Sequence, residues 1–332
     1  MGVKSAVEYF ESVWYTRHPV AVVLAPLGWI YRAIGTARKS AYTSGLLSSY
    51  KADVPIVVVG NITSGGTGKT PLVIWLVEYF RSLGYSPGVV ARGYRGRAKS
   101  WPQQVRPDSD PSVVGDEPIV IARRARCPVA VSPRRGDAVD ALTRHADCDI
   151  VISDDGLQHY ALERNYEIAV IDGVRRMGNG QCLPAGPLRE PASRLQSVDV
   201  IVTNGIAGRG EFGMKYIATQ AHKIDGSETI ELPKFAPKEV HAVAGIAHPE
   251  RFFSMLRSKG FRVRPHPFRD HARFRQADFE FDDDLPVIMT EKDAIKCEHL
   301  VLPRCWYIPI TAELPDVLRR RLSLVFSGDE DG

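Results

Sequence analysis

Hydrophobic and polar positions along this chain follow two periodicities, and the places where one gives way to the other mark its elements. Six short apolar runs rich in β-branched residues read as strands: PIVVVG from Pro55, PGVVA from Pro87, PVAVS from Pro128, CDIVISDD from Cys148, YEIAVID from Tyr166 and VDVIVTN from Val198. Their near-continuous hydrophobicity implies strands covered on both faces, hence a mostly parallel sheet flanked by helices. Stretches with helical spacing lie between them, such as KTPLVIWLVEYFRSLG with its glycine stop. The pattern predicts a doubly wound α/β fold.

The alternation lapses after Asn204. Residues 206–237 are glycine-punctuated and mixed in polarity, and read as a hairpin-like connection. It resumes in VHAVAGIA, PERFFSMLRSKGF, LPVIMTEKDAIK and CWYIPI, which predicts a second, smaller α/β domain over residues 238–326 behind a core domain over 52–205. The acidic residues 327–332 read as a disordered tail.

Residues 1–51 stand apart. The apolar run from Pro19 to Tyr31 is too short to span a bilayer and is interrupted by Pro26, and Glu8 and Glu11 upstream do not suit a cleaved signal. Val7, Phe10 and Trp14 recur at helical spacing. Pattern alone admits two readings: helices packed on the protein's own core, or helices at a membrane surface with Trp14, Trp29 and Tyr31 at the interface.

Composition narrows the class. The chain has 332 residues, 44% hydrophobic and 25% charged, as in an ordinary globular protein. Its net charge of +4 comes from residues 1–51, where Lys4, Arg17, Arg32, Arg38, Lys39 and Lys51 face only Glu8 and Glu11. No basic domain interleaved with aromatics points to nucleic acid. Five scattered cysteines suggest neither a disulfide framework nor a zinc site, and fit a reducing compartment.

The candidate chemistry centres on GNITSGGTGKTPL, Gly60 to Leu72. A strand, a glycine-rich turn and a helix make a phosphate-binding loop of Thr63, Ser64, Gly65, Gly66, Thr67, Gly68, Lys69 and Thr70. The inner glycines let backbone N–H groups point inward, and the helix N-terminus adds donors for an anion. Lys69 would meet the β- and γ-phosphates of ATP, and the Thr70 hydroxyl Mg²⁺. Thr63 departs from the generic pattern, which has glycine there. The strand-end acids Asp154 and Asp155 are Walker-B-type candidates at the edge where open α/β sheets bind ligands. In VGDEP, Asp116 also reads as a helix N-cap. ARGYRG offers Arg92, Tyr94 and Arg95 for an anionic or sugar substrate, or a solvated basic turn. FRDHARF holds Asp270 and His271 in a polar loop.

In order, GNITSGGTGKTP, ARGYRG, VGDEP, SDDGLQH, PAGPLREP, FRDHARF and TEKDAIK resemble the tetraacyldisaccharide 4′-kinase family, from about Trp14 to Lys296. The Thr63 loop is similar to that family's own version. The resemblance implies a P-loop NTPase-like sheet, mostly parallel with helices on both faces. It also implies transfer of the ATP γ-phosphoryl group to the 4′-hydroxyl of an acylated glucosamine disaccharide 1-phosphate, giving lipid IVA in lipid A biosynthesis. The implied setting is peripheral, on the cytoplasmic face of the bacterial inner membrane. Residues 1–51 then look like a membrane-associating segment, and no obligate protein partner is implied. Carried over by motif, Asp116 and His271 resemble a dyad that deprotonates the acceptor, with Lys69 as third catalytic residue. Imidazole suits that role because it titrates near neutral pH. Thr70, Glu117 and Asp155 are the implied Mg²⁺ ligands. Arg92, Tyr94, Arg95, Arg135 (or Arg134, by a one-residue slip), Asp154, Gln158, His159, Arg189 and Glu190 are the implied substrate positions. TEKDAIK, Thr290 to Lys296, has no assigned role beyond charges that open a helix.

Two rivals make different predictions. A dimeric switch ATPase with the same loop ending would carry lysine just before the paired glycines, where this chain has Ser64. A nonenzymatic nucleotide sensor at the membrane would bind ATP without forming a phosphorylated lipid, and leaves Asp116 and His271 unexplained.

Overall fold

The computed structural model describes residues 6–94 and 96–326; residues 1–5 with Lys4, Arg95, the 327–332 segment and the side chains of Ala6, Val7 and Glu8 lie outside this description. Two helices, α1 (Ala6–Tyr15) and α2 (Pro19–Thr43), precede the first strand. The chain then forms β1 (Ile56–Gly60), β2 (Pro87–Ala91), β3 (Gln103–Val105), β4 (Val129–Val131), β5 (Ile150–Asp154), β6 (Tyr166–Asp172), β7 (Val200–Asn204) and β8 (Phe212–Ile217). In space they run β8-β7-β6-β1-β5-β2-β4-β3, parallel from β8 to β4, with β3 antiparallel at one edge. Each of the six apolar runs is one of these strands.

Their hydrophobicity on both faces has a direct cause. Val57, Val59, Ile150, Ile152, Ile168 and Val170 face one core, shared with α3 (Lys69–Ser82) and, beyond the short α4 (Pro111–Val114), with α5 (Asp116–Ala125). Ile56, Val58, Val151 and Ala169 face the other, with Ala138, Val139 and Leu142 of α6 (Arg135–His145). A strand's side chains alternate between faces, so a strand in the middle of a three-layer stack is apolar throughout.

The second sheet holds β9 (Gln220–Lys223), β10 (Thr229–Glu231), β11 (Glu239–Ala244), β12 (Arg262–Pro267), β13 (Val287–Thr290) and β14 (Cys305–Ile308). Its order is β10-β9-β14-β13-β11-β12, with β11 to β14 mutually parallel and β9 antiparallel to β14. α7 (Pro249–Ser258) follows β11 and α8 (Glu291–Cys297) follows β13. The connection expected over 206–237 is thus divided: β8 extends the first sheet, while β9 and β10 enter the second.

The chain also returns. β15 (Thr311–Glu313) pairs antiparallel with β8, and α9 (Asp316–Phe326) buries Leu318 and Leu322 in the core around α3. Residues 311–326, expected in the smaller domain, therefore pack on the larger one. β15 covers an edge of β8 that would otherwise be open, and three residues are too few to carry a readable pattern.

Pro26 does not interrupt the apolar run. α2 continues through it for 25 residues, so by length and composition it is long and apolar enough to cross a membrane. Its inward face is made of Ala21, Ala25 and Gly28. A Cβ on Gly28 would sit 2.9 Å from the Cys182 carbonyl oxygen, so this glycine lets the helix lie directly on the 182–185 segment. Trp14 Nε1 of α1 donates to the Pro184 carbonyl at 2.9 Å. The opposite face of α2 leaves Val22, Val23, Leu27, Trp29, Ile30 and Ile34 exposed.

Candidate active site

β1 ends at Gly60, and the glycine-rich loop turns from the carboxyl edge of the sheet into α3. Gly68 is the α3 N-cap at φ 99° with no side-chain cap, so the first-turn N–H groups stay free of a side-chain acceptor. A Cβ there would lie 1.9 Å from the Tyr216 hydroxyl. Asn204, at the end of β7, donates its Nδ2 to the Thr67 carbonyl at 3.1 Å and to the Tyr216 hydroxyl at 2.8 Å, bracing the loop. Asn61 Nδ2 donates to the Gly65 carbonyl at 3.3 Å. Thr63 is buried and forms an antiparallel bridge with Leu188, while Ser64 N donates to Pro187 O at 2.7 Å. The loop's outer position is therefore extended and tied to PAGPLREP, which explains how threonine replaces glycine there.

The same PAGPLREP segment delivers Arg189 to the next strand end. Register places Asp154 of β5 opposite Val59 of β1, so Asp155 leaves the sheet beside the loop. Asp155 Oδ1 lies 3.3 Å from Lys69 Nζ, and Arg189 Nη1 is 3.1 Å from both carboxylate oxygens. Burial alone would raise the Asp155 pKa, but Lys69 and Arg189 hold it well below the usual carboxylate range. Asp154 is buried, with Oδ1 unpartnered among the described residues. Burial, then the neighbouring Glu117, push its carboxyl up to about 7 against the pull of Lys69.

Three positions expected at the substrate have other duties. Arg135 is buried, and its Nη2 donates to the carbonyls of Asp154 at 2.7 Å and Asp155 at 2.8 Å, so it holds the strand-end turn from behind. Burial lowers its guanidinium to about 10. Arg134 is exposed and pairs with Asp137 at 3.1 Å. Gln158 Nε2 donates to the Asn61 carbonyl at 3.0 Å and to Glu190 Oε2 at 2.7 Å, and Glu190 also accepts from the Tyr160 hydroxyl. Gln158 and the buried Glu190 therefore brace the loop. His159 is half-buried, and burial together with Arg135 and Arg164 lowers it to about 4.

The second sheet presents its own carboxyl edge to this one. Ala247 and His248, following β11, lie against Gly66 and Gly65; His271 follows β12, and Lys292 opens α8 after β13. Asp116 is the first residue of α5 and Gly115 its N-cap; its Oδ1 accepts from Glu117 N at 3.0 Å, which leaves Oδ2 to reach outward. Its Oδ2 lies 2.8 Å from His271 Nδ1 across the two units. Burial would raise Asp116, yet the His271 hydrogen bond and Lys292 lower it to about 2. His271 sits at φ 58°, its N–H donating to the Gly245 carbonyl at 3.2 Å, and Tyr94 meets its ring edge-on at 5.8 Å. Arg92 and Tyr94 are exposed at the cleft. Lys292 is enclosed by acids: burial would lower its pKa, but Glu117, Asp116 and Asp270 raise it.

Sequence reasoning therefore brought together Lys69, Asp116, Glu117, Asp154, Asp155, Arg189 and His271, and missed Asn204, Tyr216 and Lys292. Asn204 had a signal, as a polar residue ending an apolar strand at the ligand edge. Tyr216 and Lys292 had none beyond their place in a strand and in an unassigned motif.

Comparison with known proteins identifies the family and the fold. A family model described as tetraacyldisaccharide-1-P 4′-kinase matches residues 20–327. A tetraacyldisaccharide 4′-kinase of Nitrosococcus oceani is 51% identical, covering 91% of this chain and 89% of that protein. The Hahella chejuensis protein of the same name is 45% identical, covering 95% and 96%. A crystal structure of LpxK from Aquifex aeolicus in complex with ATP superposes with a TM-score of 0.78 at 24% identity, covering 92% of this chain and 99% of that one. That likeness establishes the fold.

Proposed function

The chain belongs to the tetraacyldisaccharide-1-P 4′-kinase family, and from that premise we propose how its residues divide the reaction. It is an ATP-dependent kinase that phosphorylates the 4′-hydroxyl of tetraacyldisaccharide 1-phosphate, forming lipid IVA for lipid A. The observation that carries the residue assignment is the Asp116–His271 pair, whose partners come from α5 beside the first sheet and from the turn after β12 of the second and lie 2.8 Å apart.

The loop from Ser64 to Thr70 takes the ATP phosphates on backbone N–H groups, and Lys69 adds a point charge at the transferred end. His271 removes the proton of the 4′-hydroxyl at Nε2 as the oxygen bonds to the γ-phosphorus and the ADP oxygen departs. Asp116 accepts from Nδ1, orients the ring and stabilises the imidazolium. Arg189, and Arg92 with Tyr94, take the anionic sugar and phosphate groups, and the ARGYRG motif adds Arg95, which lies outside the described residues. Arg135, Gln158 and Glu190 support them from behind, and His159 stands beside that wall.

The residues also fit Mg²⁺. Asp154 keeps a buried carboxylate oxygen unpartnered among the described residues, and Glu117 is near enough to raise its pKa. Among the described residues no three acidic, imidazole or thiol side chains form a ready-made cage, which suits an ion held by one or two carboxylates with substrate phosphates and water. Thr70, Glu117 and Asp155, with Asp154 alongside, would hold it. When bound, the ion supplies neutralisation of charge on the phosphates.

Lipid A synthesis implies association with a membrane, and the finer setting is the cytoplasmic face of the inner membrane, where ATP is at hand. The exposed apolar face of α2 lies in that surface beside the acyl chains, with the 182–190 segment joining it to the phosphate loop. Neither nucleic acid nor an obligate protein partner enters this reading.

The test follows labelled γ-phosphate from Mg-ATP into lipid extracted with organic solvent, using tetraacyldisaccharide 1-phosphate as acceptor. Label should enter the lipid, vanish with Lys69→Ala, and fall by about 10²-fold or more with His271→Ala while ATP still binds. Unchanged turnover in His271→Ala would remove the base assignment; label released only to water would favour a switch ATPase.

A further inference from the structure

The TEKDAIK motif places a cation at the one ring nitrogen that the acceptor hydroxyl needs. Lys292 Nζ lies 3.3 Å from His271 Nε2, 3.0 Å from Glu117 Oε1 and 3.4 Å from Asp270 Oδ1. Its mounting is rigid. Thr290 caps α8 by accepting from Asp293 N, and the fully buried Asp293 accepts from Gly245 N at 2.8 Å and pairs with Lys296 at 2.7 Å. Gly245 in turn accepts from His271 N, so the lysine and the histidine hang from one braced turn of the second sheet. Glu117 and Asp116 belong to α5 of the first.

An ammonium only donates, so a bond from Lys292 to Nε2 requires the lone pair there and the proton on Nδ1. That tautomer faces Asp116 with a donor and the cleft with a base, as the reaction requires. We propose that Lys292 is a positioning residue for the His271 base: its ammonium holds the ring with the Nε2 lone pair toward the cleft, occupies the hydroxyl's place until the acceptor arrives, and then rests on Glu117 and Asp270. The proposal rests on the reading of His271 as the base, and predicts that Lys292 contributes to catalysis only through that ring.

The experiment is a double-mutant cycle on the full chain: Lys292→Gln, His271→Ala, the double variant and Lys292→Arg, each with lipid-kinase kcat and KM, ATP affinity and a thermal melt. The expected result for Lys292→Gln is a kcat lower by roughly 10- to 100-fold, with KM for ATP changed less than about threefold. The double variant should be no slower than His271→Ala alone, and Lys292→Arg should recover part of the rate. Multiplying losses in the double variant, or wild-type kcat in Lys292→Gln, would overturn the proposal. So would a melt and ATP affinity that fall equally for the Gln and Arg variants, since the role would then be structural. Wild-type turnover in His271→Ala identifies failure of the underlying base assignment instead.

Discussion

Arg135 shows how a side chain matched by motif can serve a site without facing its ligand. The residue is 3% exposed, and its guanidinium donates to the two carbonyls that shape the Asp154–Asp155 turn. Arg135→Met should leave those acceptors buried and unpaired, at about 1–3 kcal/mol each, and urea unfolding would read the loss. A substrate contact would instead raise KM for the lipid at unchanged stability, and that result would return Arg135 to the substrate wall. Gly68 makes the complementary case, because φ 99° and the Tyr216 hydroxyl both exclude a side chain. Gly68→Ala should weaken ATP binding by more than tenfold in calorimetry, as a strained loop no longer presents its N–H groups together. Retained affinity would show that Tyr216 yields easily.

At the level of elements, α2 is held by small residues and exposes large ones, the inverse of a helix that closes a core. Val23→Glu with Ile30→Glu should leave the melting temperature unchanged and lower binding to anionic vesicles by more than tenfold, since each buried apolar side chain contributes about 1.5–3 kcal/mol. Equal vesicle binding would remove α2 from the membrane surface. The β7–β8 connection carries a pH-dependent tie: Glu211 accepts from Arg176, the Thr203 hydroxyl and Gly208 N. The Arg176 hydrogen bond leads in lowering its carboxyl from 4.5 to about 2. A folded-state value below the unfolded one means stability fully present above 4.5 and lost as pH falls toward about 2. The melting difference between wild type and Glu211→Gln should therefore be largest at pH 6 and narrow below pH 4.5; a constant difference would contradict the ionic account.

Across the whole molecule, the returning segment 311–326 joins the core built around α3. Leu318 and Leu322 are fully buried, the Tyr79 hydroxyl donates to the Arg319 carbonyl at 2.6 Å, and Phe326 packs on Phe80. Leu322→Ala should cost about 2–5 kcal/mol and lower ATP-binding stability, although the residue lies far along the chain from the phosphate loop. If only the second sheet melts earlier, α9 does not support the first. The Asp116–His271 pair joins the two units, and the proposed roles of Lys69 and His271 would require both to meet at one phosphate. Closure of the cleft on ATP is expected to appear as a smaller radius of gyration in solution scattering.

The sequence by itself determined the six core strands, because strands buried on both faces must be apolar throughout. It also determined the phosphate loop, because few residue types besides glycine accept its backbone geometry. The motif resemblance identified Asp116 with His271 as a pair. Only the tertiary structure decided which charged residues face the cleft and which stand behind it, as with Arg135, Glu190 and Lys292, since a motif carries no direction for its side chains. It also decided that residues 311–326 rejoin the first sheet, because a three-residue strand is recognised only through the edge it covers.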